Sequence, residues 1–252
     1  MKVSWSFFVL TLASCLCILR PVASASETVR LKAVDGVEVF GDYSPAAGEE
    51  KAIILLFHQA GSNAGEYSAI TPRLNKAGYS CLAIDQRSGA TRWGRKNRSV
   101  EALGREAGYL DTLADLEAAL VWARDKHPSD EIVVWGSSYS ASLVFLLAAR
   151  HPGEIGAVLA FSPGEYFTEK SAVRDAAATV RAAVFVTSAQ DPEEIQSART
   201  ILAAVPGDKK FQFVPRQGGV HGSSTLLHDA NRRGAESTWG EVLRFLSEAT
   251  RP

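Results

Sequence analysis

The chain has 252 residues, with 27 Lys or Arg against 28 Asp or Glu and 46% hydrophobic residues. That composition is ordinary for a globular protein, and the length suits one large domain or two small ones. A net charge of −1 offers no electrostatic footprint for nucleic acid or an anionic membrane, and 10 Pro and 20 Gly without a period exclude collagen-like and low-complexity chains.

Lys2 is followed by an apolar run from Val3 to Leu19, then Arg20, Pro21 and the small residues Val22 to Ser26. A basic start, an apolar stretch and the Ala23-Ser24-Ala25 site describe a secretory signal peptide cleaved near Ala25. Residues 1–25 are therefore assigned to a leader and 26–252 to one folded domain, exported to the periplasm or the exterior. Leu12-Ala13-Ser14-Cys15 offers a second reading, a lipoprotein anchor at Cys15. The apolar run is short for a membrane span, and none is expected after the leader. Beyond the leader only Cys81 remains, within an apolar strand-like run, so no internal disulfide can form and a buried, inert thiol is expected.

After the leader the pattern alternates strand and helix. Strands are predicted at Thr28–Val34 and Val37–Tyr43, joined by an Asp35-Gly36 hairpin turn. Lys51–Phe57 is a continuous apolar run, as expected of a strand buried on both faces. A helix at Glu66–Ala77, a strand at Tyr79–Ile84, a polar loop over 85–100 and a long helix at Glu101–Lys126 follow. Next come a strand at Glu131–Trp135, a helix at Tyr139–Arg150 and strands at Ile155–Phe161, Ala182–Thr187 and Phe211–Pro215. Helices at Pro192–Ala203 and Ala235–Ala249 follow the last two. The pattern predicts an α/β fold: a mostly parallel sheet with helices on both faces and an antiparallel hairpin at one edge.

In such a sheet, chemistry sits in the loops at the carboxyl ends of the strands. The strand ending at Trp135 leads into Gly136-Ser137-Ser138-Tyr139-Ser140 and then an apolar helix. This is G-x-S-x-G with serine in the last place. Small residues there let helix and strand approach while Ser138 stands on the tight turn as a nucleophile. The alternative role of Ser138 is a helix N-cap. A serine nucleophile needs a base and an orienting acid, following it in the order acid, then histidine. Asp191, after the strand ending at Thr187, fills the acid position and also suits an N-cap before Pro192. Glu193 and Glu194 fall inside the helix and suit its dipole. His221, flanked by glycines before the last helix, is the expected base. The oxyanion donors are expected to be the backbone N–H of Tyr139 and of Ala60, with Gln59 as the alternative. Gln59, Trp93, Tyr166 and Phe167 are candidate substrate contacts, although Tyr166 and Phe167 could equally pack the core. Arg87, Arg92, Arg95, Lys96 and Arg98 surround Trp93, a basic run that could attract an anionic substrate or form a solvated face. No metal-ligand spacing and no Gly-rich phosphate motif appears, so neither metal nor organic cofactor is expected.

Taken in order, LLFHQAGSN, GYSCLAIDQRSG, VVWGSSYSAS, SAQDPEE and GVHGSS resemble the α/β-hydrolases, most closely the small cap-less branch with dienelactone hydrolase-like and esterase-like members. The resemblance covers essentially all of residues 26–252. It implies a Ser138–His221–Asp191 triad, backbone donors at Ala60 and Tyr139, and hydrolysis of a small-molecule carboxylic ester. Ser140 departs from the usual last glycine of the elbow, and Gln59 from the glycine that often follows the histidine. Dienelactone hydrolases proper use a cysteine nucleophile, so their substrate does not carry over. A peptide, thioester or lactone substrate on the same triad, or a binding protein that has kept the fold without turnover, are the other readings.

Overall fold

The computed structural model describes residues 1–2, 26–128 and 131–250. Apart from Met1 and Lys2, the predicted leader, with Cys15 and the cleavage site, lies outside the described residues.

Eight strands form one sheet in the order β1-β2-β4-β3-β5-β6-β7-β8. They are β1 (Glu27–Lys32), β2 (Glu38–Ser44), β3 (Ala52–Phe57), β4 (Tyr79–Asp85), β5 (Glu131–Ser137), β6 (Ala157–Phe161), β7 (Ala183–Thr187) and β8 (Lys210–Phe213). The first two pair antiparallel to each other, and β2 pairs antiparallel to β4; all other pairings are parallel. This is the sheet the alternation predicts, hairpin edge included.

Period-two alternation divides β3 between two cores. Ile53, Leu55 and Phe57 face one, and Ala52, Ile54 and Leu56 the other. The first core is covered by α3 (Leu113–Lys126), α4 (Tyr139–Arg150), α5 (Ala172–Ala177) and α6 (Pro192–Ala204). The second is covered by a 3-10 turn (Ala64–Tyr67), α1 (Thr71–Lys76) and α7 (Ala235–Ala249). Each fully buried Leu, Ile or Phe contributes roughly 1.5–3 kcal/mol, so a sheet apolar on both faces needs no disulfide. Cys81 is free and fully buried, and burial pushes its thiol up, away from the reactive thiolate.

Two helix expectations are corrected. The predicted Glu66–Ala77 helix is a 3-10 turn and a separate short α1, because Pro72 sits at the start of α1 and has no N–H to continue a helix from before it. The predicted Glu101–Lys126 helix is two helices, α2 (Arg98–Leu103) and α3. Asn97 caps the start of α2 by accepting from the Val100 N–H at 2.9 Å, and Gly104, at φ +75°, turns the chain out of it. Residues 104–112 between them run irregularly over the carboxyl ends of the strands. Between β6 and β7 the chain holds only α5, so no cap domain covers the site.

Candidate active site

The elbow is as tight as its small residues require. A Cβ on Gly136 would lie 2.2 Å from the Ser140 carbonyl oxygen, so strand and helix touch backbone to backbone. Ser138 sits at φ +59°, ψ −124°, a strained conformation for a side-chain-bearing residue. Its N–H donates to the Phe161 carbonyl at 2.8 Å, which ties the turn to the neighbouring strand. Although Ser138 occupies the N-cap position of α4, its hydroxyl makes no capping bond.

The hydroxyl instead meets His221. Ser138 Oγ lies 2.7 Å from His221 Nε2, and His221 Nδ1 lies 2.9 Å from a Glu194 carboxylate oxygen. A carboxylate only accepts, so Nδ1–H donates to Glu194 and Nε2 accepts from Ser138. The His221 loop is locked from behind. The Gly222 N–H donates to Ser162 Oγ at 3.0 Å, the Ser223 N–H to Ser137 Oγ at 2.9 Å, and Trp135 Nε1–H to Ser223 Oγ at 2.9 Å.

The carboxylate that meets His221 is Glu194, not Asp191 as the sequence leads one to expect. The exposed Asp191 carboxylate accepts the N–H groups of Glu193 and Glu194, both at 3.0 Å, and so is spent on capping α6. Glu194, assigned from the sequence to the helix dipole, stands in the first turn. Side chains of a helix tilt toward its N-terminus, so the Glu194 carboxylate is carried back to the sheet end, where its other oxygen accepts the Ala189 N–H at 3.1 Å. Burial would raise the Glu194 carboxyl, but hydrogen bonds from His221, Ser162 and the Ala189 amide hold it down at about 2. The Glu194 bond in turn raises His221 above the usual imidazole value, against partial burial, with help from the charge of Glu66.

The two oxyanion candidates can now be separated. The Gln59 N–H donates to the buried Glu66 carboxylate at 3.0 Å and is unavailable. Among the described residues, no acceptor lies on the N–H of Ala60 or of Tyr139. Tyr139 is the first residue of α4, where the N–H has no partner inside the helix. His58 does not reach the site. Buried and neutral, it donates from Nδ1 to the Gln59 carbonyl at 2.7 Å and accepts the Gln86 N–H on Nε2 at 3.0 Å.

Of the candidate substrate contacts, Tyr166 is 37% exposed, donates to the Ser162 carbonyl at 2.9 Å and lies beside the Ser138 hydroxyl. Phe167 is 4% exposed and takes its packing role in the core. Trp93 folds onto the 58–63 loop, its ring N–H 2.9 Å from Ser62 Oγ. Apart from Arg92, which is exposed with its guanidinium 5.5 Å from the centre of the Trp93 ring, the basic run is tied up in ion pairs. Arg87 is buried between Asp35 and Asp115, Arg95 and Arg98 both pair with Asp42 and Asp85, and Lys96 pairs with Glu101. Those charges hold the loop rather than invite an anion. The helical reading of 101–126 hid Tyr109 and Leu110, which are 39% and 50% exposed. The Tyr109 ring stacks on Tyr139, the residue after Ser138, with centroids 4.4 Å apart.

The family described as Serine aminopeptidase, S33 (Hydrolase_4) matches residues 48–239. A monoacylglycerol lipase of Mycolicibacterium smegmatis is 28% identical over 142 residues, which is 56% of this chain and 48% of the lipase. The aligned stretch thus spans about half the length of that relative. An esterase of Pyrococcus furiosus superposes with a TM-score of 0.67 at 19% identity, over 90% of this chain and 93% of that one. A dienelactone hydrolase of Anabaena variabilis superposes with a TM-score of 0.70 at 14% identity, over 91% and 100%. These structural likenesses are likenesses of fold.

Proposed function

This chain belongs to the α/β-hydrolase family described as Serine aminopeptidase, S33, and from that premise we propose that it is a serine hydrolase of carboxylic esters working through Ser138, His221 and Glu194. The observation that carries the reading is the unbroken chain from Ser138 Oγ through both His221 nitrogens to the Glu194 carboxylate. Ser138 attacks the acyl carbon while His221 Nε2 takes its proton. Glu194 holds the ring in that tautomer and stabilises the imidazolium. The N–H groups of Ala60 and Tyr139 receive the negative charge of the tetrahedral oxygen. His221 then protonates the leaving alkoxide, and water, activated by the same histidine, releases the acyl group. Tyr166, beside the Ser138 hydroxyl, and Tyr109, stacked on Tyr139, offer an open, partly apolar rim suited to a small or medium acyl chain, in keeping with a monoacylglycerol lipase and esterases among the similar proteins.

The test is hydrolysis of p-nitrophenyl acetate and butyrate by the protein expressed from its full sequence, beside Ser138→Ala, with fluorophosphonate labelling of both. Turnover and labelling that vanish together in the variant support the reading. A wild type that neither hydrolyses nor labels overturns it in favour of a binding protein. The family description favours one second reading, a peptidase on the same residues. Aminoacyl p-nitroanilides in the same panel, cleaved faster than the esters, would establish it. Export is part of the proposal. The protein recovered from periplasm should begin near Ser26, whereas an acylated Cys15 at the N-terminus would replace soluble export by an anchor.

A further inference from the structure

The two oxyanion donors come from different loops, and nothing in the triad sets their separation. Tyr139 opens α4, whereas Ala60 lies in the segment after β3. The Ser140 hydroxyl spans the gap. Fully buried, it donates to the His58 carbonyl at 2.6 Å and accepts from Gln86 Nε2 at 2.8 Å. Ser140 is the neighbour of Tyr139, and His58 stands two residues before Ala60. The same Gln86 amide also donates to the Tyr139 hydroxyl at 2.8 Å, and that hydroxyl shares a hydrogen bond with Ser88. On the other loop, the Gln86 N–H holds His58 Nε2, His58 Nδ1 holds the Gln59 carbonyl, and Glu66 holds the Gln59 N–H. The His58 ring and the Gln59 amide beside the free Ala60 N–H are therefore fixed, and Ser140 links the His58 carbonyl directly to the elbow helix, beside the bond from Gln86 to Tyr139. A glycine in this place could make neither bond.

We propose that Ser140 is a positioning residue of this enzyme, whose hydroxyl holds the Ala60 and Tyr139 N–H groups at the spacing that the tetrahedral oxygen needs. The proposal rests on the esterase reading above. Ser140 touches neither substrate nor His221; it acts through the His58 carbonyl and the helix start. Its loss should therefore weaken binding of the transition state and spare both ground-state binding and the titration of the base.

The experiment compares the full-length wild type, Ser140→Ala, Ser140→Thr and Thr238→Val. The readouts are kcat and KM for p-nitrophenyl butyrate across pH, inhibition by an alkyl trifluoromethyl ketone that adds Ser138, and Tm. Thr238 is a control: a buried hydroxyl that donates to the Gly234 carbonyl at 2.9 Å at the start of α7 and makes no bond to the His58 loop or to α4. Ser140→Ala is expected to lower kcat about 10- to 100-fold and to weaken the ketone by the same factor, with KM and the apparent pKa of the base unchanged. Ser140→Thr should recover most of the loss. Thr238→Val should lower Tm and leave the kinetics alone. If Ser140→Ala does not fold, Ser140→Cys, with similar volume and a weak donor, carries the same expectation. Wild-type kcat and ketone affinity in the Ser140 variants would overturn the proposal and leave the esterase standing. So would a loss shared by Thr238→Val, or one confined to KM. A wild type inert to ester and ketone alike would overturn the esterase reading, and this proposal with it.

Discussion

Two strand-to-helix turns build this site, and they use the N-cap position in opposite ways. At the β5–α4 turn the N-cap residue is Ser138. Its positive φ swings the side chain off the helix, and its hydroxyl is left for His221. At the β7–α6 turn the N-cap residue is Asp191. It has ordinary extended geometry, so its carboxylate folds onto the first N–H groups of its own helix, and the carboxylate that meets His221 comes from Glu194 in the first turn. An N-cap side chain serves its helix unless backbone strain turns it away. Strain at a cap is thus a sign of chemistry, and a relaxed, bonded cap a sign of structure.

The contrast can be broken most severely at Ser138. Ser138→Ala should remove ester turnover by at least about 10^4-fold with Tm nearly unchanged, since only one hydroxyl is lost. Retained turnover would show that the strained cap is not the nucleophile. The second test sets the two acids side by side. Glu194→Ala should lower kcat by roughly 10^3- to 10^4-fold, whereas Asp191→Ala should change it by less than about threefold. The reverse order of effects would return the acid role to Asp191.

The pH profile sharpens the same point. His221 must be neutral to accept the Ser138 proton, and Glu194 raises its pKa above 6.5. The acid limb of kcat/KM in the wild type should therefore have its midpoint above 6.5, with activity lost as pH falls through it. Glu194→Gln removes the carboxylate that favours the imidazolium, so whatever activity survives should show its midpoint at lower pH. A midpoint that stays in place would exclude Glu194 as the cause of the shift. The smallest effect is on stability. Asp191→Ala should cost about 1 kcal/mol in urea unfolding, the usual worth of an N-cap, and Glu193→Ala less.

Much of this was legible along the chain. Continuous apolar runs such as Ile53–Phe57 and Ile132–Trp135, short and bounded by turn residues, read as strands covered on both faces, and Gly136-Ser137-Ser138-Tyr139-Ser140 between such a strand and an apolar helix marks the elbow through its small residues and its context. His221 between glycines was legible for the same reason, since a base must reach back from a loop. The acid was less so. Asp191, Glu193 and Glu194 lie within four residues, and composition cannot rank three carboxylates whose difference is direction. Residues 101–126 read as one helix because Leu113, Leu116 and Leu120 set a helical period, whereas Gly104 ends α2 and the chain is irregular up to the start of α3 at Leu113. The one-helix reading concealed Tyr109 against Tyr139.

By itself, then, the sequence determined the sheet, its two apolar faces, the Ser138 turn and the His221 loop, because each follows from local pattern: hydrophobic period, small residues at a tight turn, and order along the chain. Tertiary structure alone decided which carboxylate meets His221, that Arg87, Arg95 and Arg98 are spent on Asp35, Asp42, Asp85 and Asp115, and that Ser140 in place of glycine bonds the His58 loop. The physical reason is common to all three. Hydrogen bonds and ion pairs are short-ranged and directional, and their partners here lie 10 to 82 residues apart along the chain, brought together only when the strands align.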